Sequence, residues 1–174
     1  MPLPLTLTIL TGVALAILAY FFALLATNQA VFIPLPQQTI DKMLSMADAR
    51  PDDLLFDLGS GDGRVVIAAA KNYGTRAVGI EKSRLLAWLS KRAIRKNAVQ
   101  DKVRIVNSDF FNQDLSQATI VTAYLSRKIN HKIEPKLRNE LKQGTRILSA
   151  DHTFKFPETA KAKAGHFWIH LYMK

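Results

Sequence analysis

The chain contains no cysteine. That excludes a disulfide framework, a thiolate metal site and a cysteine nucleophile. Charge is missing from one end: no Asp, Glu, Lys, Arg or His precedes Asp41. All 24 Lys and Arg therefore lie from Lys42 onward, against 14 acidic residues in the 174-residue chain. An apolar head is followed by a strongly basic body. The body is long enough to bury one core without disulfide or metal support. Neither internal repeats nor low-complexity tracts are present, so solenoid and disordered classes drop out.

Leu5 to Ala26 reads LTLTILTGVALAILAYFFALLA, interrupted by only three Thr and one Gly. As a helix rising about 1.5 Å per residue it spans roughly 33 Å, matching a hydrocarbon core of about 30 Å. A cleaved signal peptide begins with a basic region and carries a shorter apolar run. The head has neither feature, although Thr27, Asn28 and Ala30 leave a loose cleavage site as the alternative. The expectation is a single transmembrane anchor over residues 1–33 and a catalytic domain over 34–174. Basic residues begin only after the run, at Lys42 and Arg50. The positive-inside rule then places the domain on the cytoplasmic, or an equivalent inner, side.

The body alternates strands and helices. Ile40, Met43, Leu44 and Ala47 fall at helical spacing behind Thr39, a candidate N-cap. Strands are expected at 54–58, 76–80, 103–106, 119–125, 145–149 and 166–172. Helices are expected at 63–71, at 83–96 with Ser83 as N-cap, and at 130–141, where Pro135 either kinks the helix or marks its start. Lys155 to Gly165 reads as a long loop. Such alternation implies right-handed parallel crossovers, hence an α/β, doubly wound, mostly parallel sheet. In the helix at 83–96, the apolar positions Leu85, Leu86, Trp88, Leu89, Ala93 and Ile94 suggest packing on the sheet, with a solvated basic face.

The loop after the first strand is DLGSGDGR, from Asp57 to Arg64. Its glycines at 59, 61 and 63 let backbone turn tightly and approach a ligand at the carboxyl end of the sheet. A dinucleotide fingerprint would place its third glycine at position 64, where Arg64 stands. Asp57 and Asp62 disfavour a pyrophosphate and suit the cationic amine of an amino acid instead. Glu81 ends the second strand, 22 residues after Gly59, where an acid can accept both hydroxyls of a ribose. NSDFF, from Asn107 to Phe111, adds an acid and an aromatic wall after the third strand.

DLGSGDGR, VGIEKS and NSDFF together resemble the motifs of the class I, seven-strand methyltransferases that use S-adenosylmethionine (SAM). The apolar head, PLPQQTIDKML and IEPKLRNELKQGTRILS further resemble a membrane-anchored subgroup. That subgroup comprises the protein-lysine methyltransferases of mitochondrial inner-membrane proteins and their bacterial and archaeal relatives. The resemblance implies SAM as cofactor. Asp57, Gly59, Ser60, Gly61 and Gly63 would hold its methionine end, Glu81 and Lys82 its ribose, and Asp109 and Phe110 its adenine. Ala123 to Ser126 would face the methyl group, with Tyr124 and Asp109 lining the catalytic site. Only one strand is evident after the fifth, so truncation of the sheet to six strands is an expectation here.

The implied activity is methylation of lysine in a membrane or membrane-proximal protein. A lipid, quinone or other apolar acceptor is the alternative, and a non-catalytic SAM-binding scaffold a further one. In-line methyl transfer depends chiefly on positioning, and a lysine acceptor must also shed a proton. Anionic lipid headgroups are an expected partner of the basic body, with about 1 kcal/mol for each basic residue near the surface. Nucleic acid is not expected, since an N/D-P-P-Y/F segment after strand four is lacking. No metal site is expected: His166 and His170 share a face without a third ligand.

Overall fold

The structure is a computed structural model and describes residues 5–26 and 32–174. The chain divides into two compact units, residues 1–33 and 34–174.

In the first unit, helix α1 covers Leu5–Ala26, and its Thr11 hydroxyl donates to Leu7 O at 3.0 Å. Among the described residues, no helix is long and apolar enough to cross a membrane. A membrane-spanning head is thus not supported by the structure. The cleavage-site residues Thr27, Asn28 and Ala30 lie outside the described residues.

The second unit is built on a sheet of seven strands ordered β3-β2-β1-β4-β5-β7-β6. Its parallel part comprises β1 (Leu54–Leu58), β2 (Arg76–Glu81), β3 (Val103–Asn107), β4 (Ile120–Ala123) and β5 (Arg146–Ala150). Short apolar runs buried on both faces suit the centre of such a sheet, and all four residues of β4 are buried. Between these strands lie α3 (Arg64–Tyr73), α4 (Arg84–Lys96) and α5 (Arg127–Glu140), with α2 (Gln37–Met46) ahead of β1. One core layer packs Ile40, Met43 and Leu44 of α2 with Val66 and Ala69 of α3. The opposite layer packs Ile133 and Leu137 of α5 with Phe154, Phe156 and Tyr172.

Truncation to six strands is corrected. Most of the expected loop instead forms β6 (Glu158–Ala164), antiparallel to β7 (Phe167–Met173), which is itself antiparallel to β5. The ETAKAKA sequence of β6 alternates only small Ala160, Ala162 and Ala164 with lysines, and almost all of it is exposed at the sheet edge, so no large apolar residue marks it as a strand. Alternating lysines suit an edge that must not recruit further strands.

Three further corrections concern the helices. Pro36, not Thr39, occupies the cap of α2, and the buried Thr39 hydroxyl donates instead to Ala164 O at 3.4 Å. Helix α5 starts at Arg127, where Ser126 Oγ caps Ile129 N, and Pro135 lies inside it. In α4 the sheet-facing side consists of Ala87, Ser90 and Ile94, whereas Leu85, Trp88 and Leu89 are exposed. The cause is close packing. A Cβ on Gly63 would come within 2.2 Å of Ser90 Oγ, so α4 meets the glycine loop through small residues and turns its large ones outward.

Candidate active site

Strand order reverses between β1 and β4, so the loops leaving their carboxyl ends diverge and open a crevice there. Asp57 and Thr122 are paired in register across that junction. The Thr122 hydroxyl donates to Asp57 Oδ1 at 2.8 Å. Burial of the Asp57 carboxyl pushes its pKa up to about 7, and the nearby Glu81 and Asp62 charges add to the rise, while the Thr122 bond opposes it. A carboxyl poised near neutrality gains most from an arriving cation.

The glycine loop is fastened to β2. Gly59 N and Ser60 N both donate to Ile80 O, at 2.9 and 3.0 Å, and Gly63 N closes a turn onto Ser60 O at 2.8 Å. Gly63 caps α3 with a φ of 82°, a left-handed conformation that favours glycine. Ser60 is buried, and its side chain lies over Gly79, whose added Cβ would meet Ser60 Oγ at 2.7 Å. Asp62 is committed to Arg64, whose Nη2 donates to its Oδ2 at 2.6 Å and whose Nη1 reaches Leu35 O at 2.9 Å. Its pKa is lowered: burial would raise it, but the hydrogen bond and charge of Arg64 outweigh that.

Glu81 is held from both sides. Its Oε2 accepts from Gly61 N at 2.9 Å and its Oε1 from Ser83 N at 2.7 Å. A carboxylate offers about four acceptor positions, so two remain for the vicinal hydroxyls of a ribose. This donor set fits the nucleoside of SAM. Asn107 braces the same corner, its Nδ2 donating to Glu81 O at 2.8 Å and Lys82 O at 3.1 Å.

Asp109 caps the short 3-10 helix Phe110–Asn112 by accepting from Phe111 N at 3.1 Å, and Lys82 Nζ lies 3.2 Å from its Oδ2. Burial would raise its pKa, but the Phe111 amide and the Lys82 and Lys132 charges bring it below the usual range. A carboxylate held ionised is a weak base, so Asp109 suits binding better than the catalytic place expected for it. Phe110 and Phe111 stand beside it with ring centroids 4.9 Å apart. Tyr124 follows β4 and meets Phe167 edge-on at 5.8 Å. Burial, then the Asp151 charge, raise its pKa, keeping the phenol neutral.

The structure thus gathers Asp57, the glycine loop, Glu81, Lys82 and Asp109 in one chain of contacts along the carboxyl edge. Thr122, Asp151 and Phe167 were missed from sequence, and Asn107 lay in the NSDFF motif without a role of its own. Only Asn107 carried a signal, as the polar residue ending a strand beside Glu81.

Residues 57–163 match the ANTKMT methyltransferase domain family. The chain belongs to that family. It is 40% identical to a protein-lysine N-methyltransferase of Saccharolobus islandicus, over 82% of this chain and 92% of that protein. It is 33% identical to a human lysine N-methyltransferase named for an ATP synthase subunit, over 72% of this chain, but spans only 52% of that relative's length. Among solved structures, an RNA methyltransferase from Salinibacter ruber with bound S-adenosyl-L-homocysteine superposes with a TM-score of 0.80. It is 35% identical over 81% of this chain and 93% of that one. These findings bear out the expected SAM-dependent protein-lysine methyltransferase, and SAM is the family cofactor.

Proposed function

We propose that the chain transfers a methyl group from SAM to the ε-amine of lysine in a membrane or membrane-proximal protein. When bound, SAM supplies an electrophilic methyl group. The chain's own residues bind and orient. Asp57 receives the ammonium of the methionine end, Glu81 holds the ribose diol, and Asp109 with Phe110 borders the adenine. Gly59, Gly61 and Gly63 supply backbone for close approach, Ser60 contributes its backbone with its side chain turned inward, and Lys82 steadies Asp109. Tyr124 lines the acceptor side.

The observation that carries this reading is the rim at the ends of β4 and β5. Tyr124 and Phe167 form an aromatic wall there, and the Asp151 charge acts on the Tyr124 phenol. Aromatic faces attract an alkylammonium group, and an acid nearby can take the proton that lysine must shed. The relatives support the same acceptor, because two of them are named as lysine N-methyltransferases of an ATP synthase subunit and of the adenine nucleotide translocase.

In this reading the apolar head, residues 1–33, anchors the chain to a membrane and the catalytic domain faces the cytoplasm or an equivalent inner compartment. The charge-free head and the basic residues that begin after it support that placement. A second acceptor class is favoured by one observation, the 35% identity to the Salinibacter ruber protein described as an RNA methyltransferase. Incubating the full-length protein with methyl-labelled SAM, host membranes and host RNA separates them. Label in a protease-sensitive band supports lysine, whereas label in nuclease-sensitive material supports RNA.

A further inference from the structure

Helix α4 leaves an unpartnered face. Its buried side is Ala87, Ser90 and Ile94. Opposite, Leu85 is 65% exposed, Trp88 52% and Leu89 40%. The spacing i, i+3, i+4 puts all three on one stripe, continued by Arg92, whose guanidinium stacks 4.9 Å from the Trp88 ring centroid. From Lys82 to Gln100 there is no acidic residue, while Lys82, Arg84, Lys91, Arg92, Arg95 and Lys96 are basic. All six are exposed. The stripe begins at Leu85, two residues after the Ser83 N–H that holds Glu81. It therefore adjoins the ribose end of the cofactor cleft.

We propose that this face of α4 docks the domain on an anionic bilayer, with Leu85, Trp88 and Leu89 among the headgroups and the basic residues against lipid phosphates. The inference rests on, and deepens, the reading of a membrane-proximal substrate. A helix with leucines and an indole on one side and only cations around them has the chemistry of an interfacial helix. Long basic side chains cover the apolar stripe with their stems and carry charge to its border. RNA would recruit the cations and the indole, but nothing in phosphate binding calls for two exposed leucines one turn apart. Docked in this way, the carboxyl edge of the sheet lies near the membrane surface, where a lysine at the end of a membrane segment would be presented.

The test uses the full-length chain carrying Trp168→Phe, which leaves Trp88 as the one indole of the two in the sequence. Because α1 holds no tryptophan, its own insertion gives no indole signal. The probes are vesicles of phosphatidylcholine alone, vesicles containing phosphatidylglycerol, and an RNA oligonucleotide. A blue shift of Trp88 emission with quenching by brominated acyl chains, in the phosphatidylglycerol vesicles only, is expected. High salt and the double variant Lys91→Glu/Arg95→Glu should reverse it. An unchanged and unquenched spectrum in those vesicles, or a response to RNA alone, would overturn the proposal.

A second arm keeps the two readings apart. Leu85→Ser/Leu89→Ser should keep turnover of a soluble lysine peptide within about twofold while cutting methylation of a vesicle-embedded substrate about tenfold. A variant as active as the unaltered chain on both substrates removes the docking role and leaves lysine methylation standing. Methylation of neither substrate by the unaltered chain, with Trp88 still quenched, removes the lysine reading and leaves the docking.

Discussion

Asp57 and Thr122 face one another across the β1–β4 junction, the threonine hydroxyl 2.8 Å from the carboxylate. The bond adds a side-chain link to the β1–β4 ladder and opposes the burial that raises the pKa of Asp57. The first prediction concerns pH. Asp57 has its pKa raised from 3.8 to about 7, so between those values the folded state holds the proton that the unfolded state has lost. Its contribution to stability is fully present below pH 3.8 and is lost as pH rises through about 7. Asp57→Asn should therefore raise the Tm of the SAM-free protein at pH 8. The same variant should weaken SAM binding at least tenfold and abolish the loss of affinity expected of the native protein as pH falls from 8 to 6. Calorimetry at several pH values checks both.

Thr122→Val removes the group that opposes the rise. The midpoint of SAM affinity against pH should move upward, whereas affinity at high pH should change little. An unmoved midpoint would show that the hydroxyl does not tune Asp57.

Glu81→Ala strips the loop of its partner at Gly61 N and the helix cap region of its partner at Ser83 N. SAM affinity should fall by about 100-fold, the loss of two hydrogen bonds to a charged group at about 1.5 kcal/mol each. Circular dichroism should stay native. Lys82→Ala, by contrast, removes a side chain that is 73% exposed, and its effect on affinity should remain within about threefold, as for exposed pairs generally.

The opposite edge of the sheet supplies a control. Asp53 is buried, pairs with Arg146, and accepts from the Thr119 hydroxyl at 2.7 Å. Asp53→Ala removes the carboxylate and leaves the Arg146 guanidinium only the Ala47 and Asp48 carbonyls, so unfolding should become easier by about 3 kcal/mol. Activity per folded molecule should be unchanged, because this network lies away from the carboxyl edge. Denaturant unfolding and active-site titration separate the two effects.

The parallel half of the fold was legible because its strands are short apolar runs and its helices carry caps such as Ser83. What stayed hidden did so for physical reasons. Strand β6 lies at an exposed edge, where alanines alternating with lysines suffice, so ETAKAKA has a two-residue period but no large apolar residue to mark it as a strand. In α4 the apolar positions were visible, but which of them the sheet accepts depends on Ser90 packing against Gly63, a contact between segments far apart in sequence. Asp57 and Glu81 stood out as acids at strand ends. Thr122 did not, since a lone threonine in an apolar strand gains meaning only from the strand beside it. Ser60 shows the converse, because its place in the glycine loop was evident but not its turn onto Gly79.

The ε-amine of a lysine in a membrane protein is the proposed methyl acceptor. The most direct measurement is methyl-labelled SAM with purified full-length protein and host membranes, followed by peptide mapping of the labelled band. Label is expected on lysine in an integral-membrane protein and should be absent with Glu81→Ala. Label confined to RNA or to the organic extract, with the proteins unlabelled, would contradict this proposal.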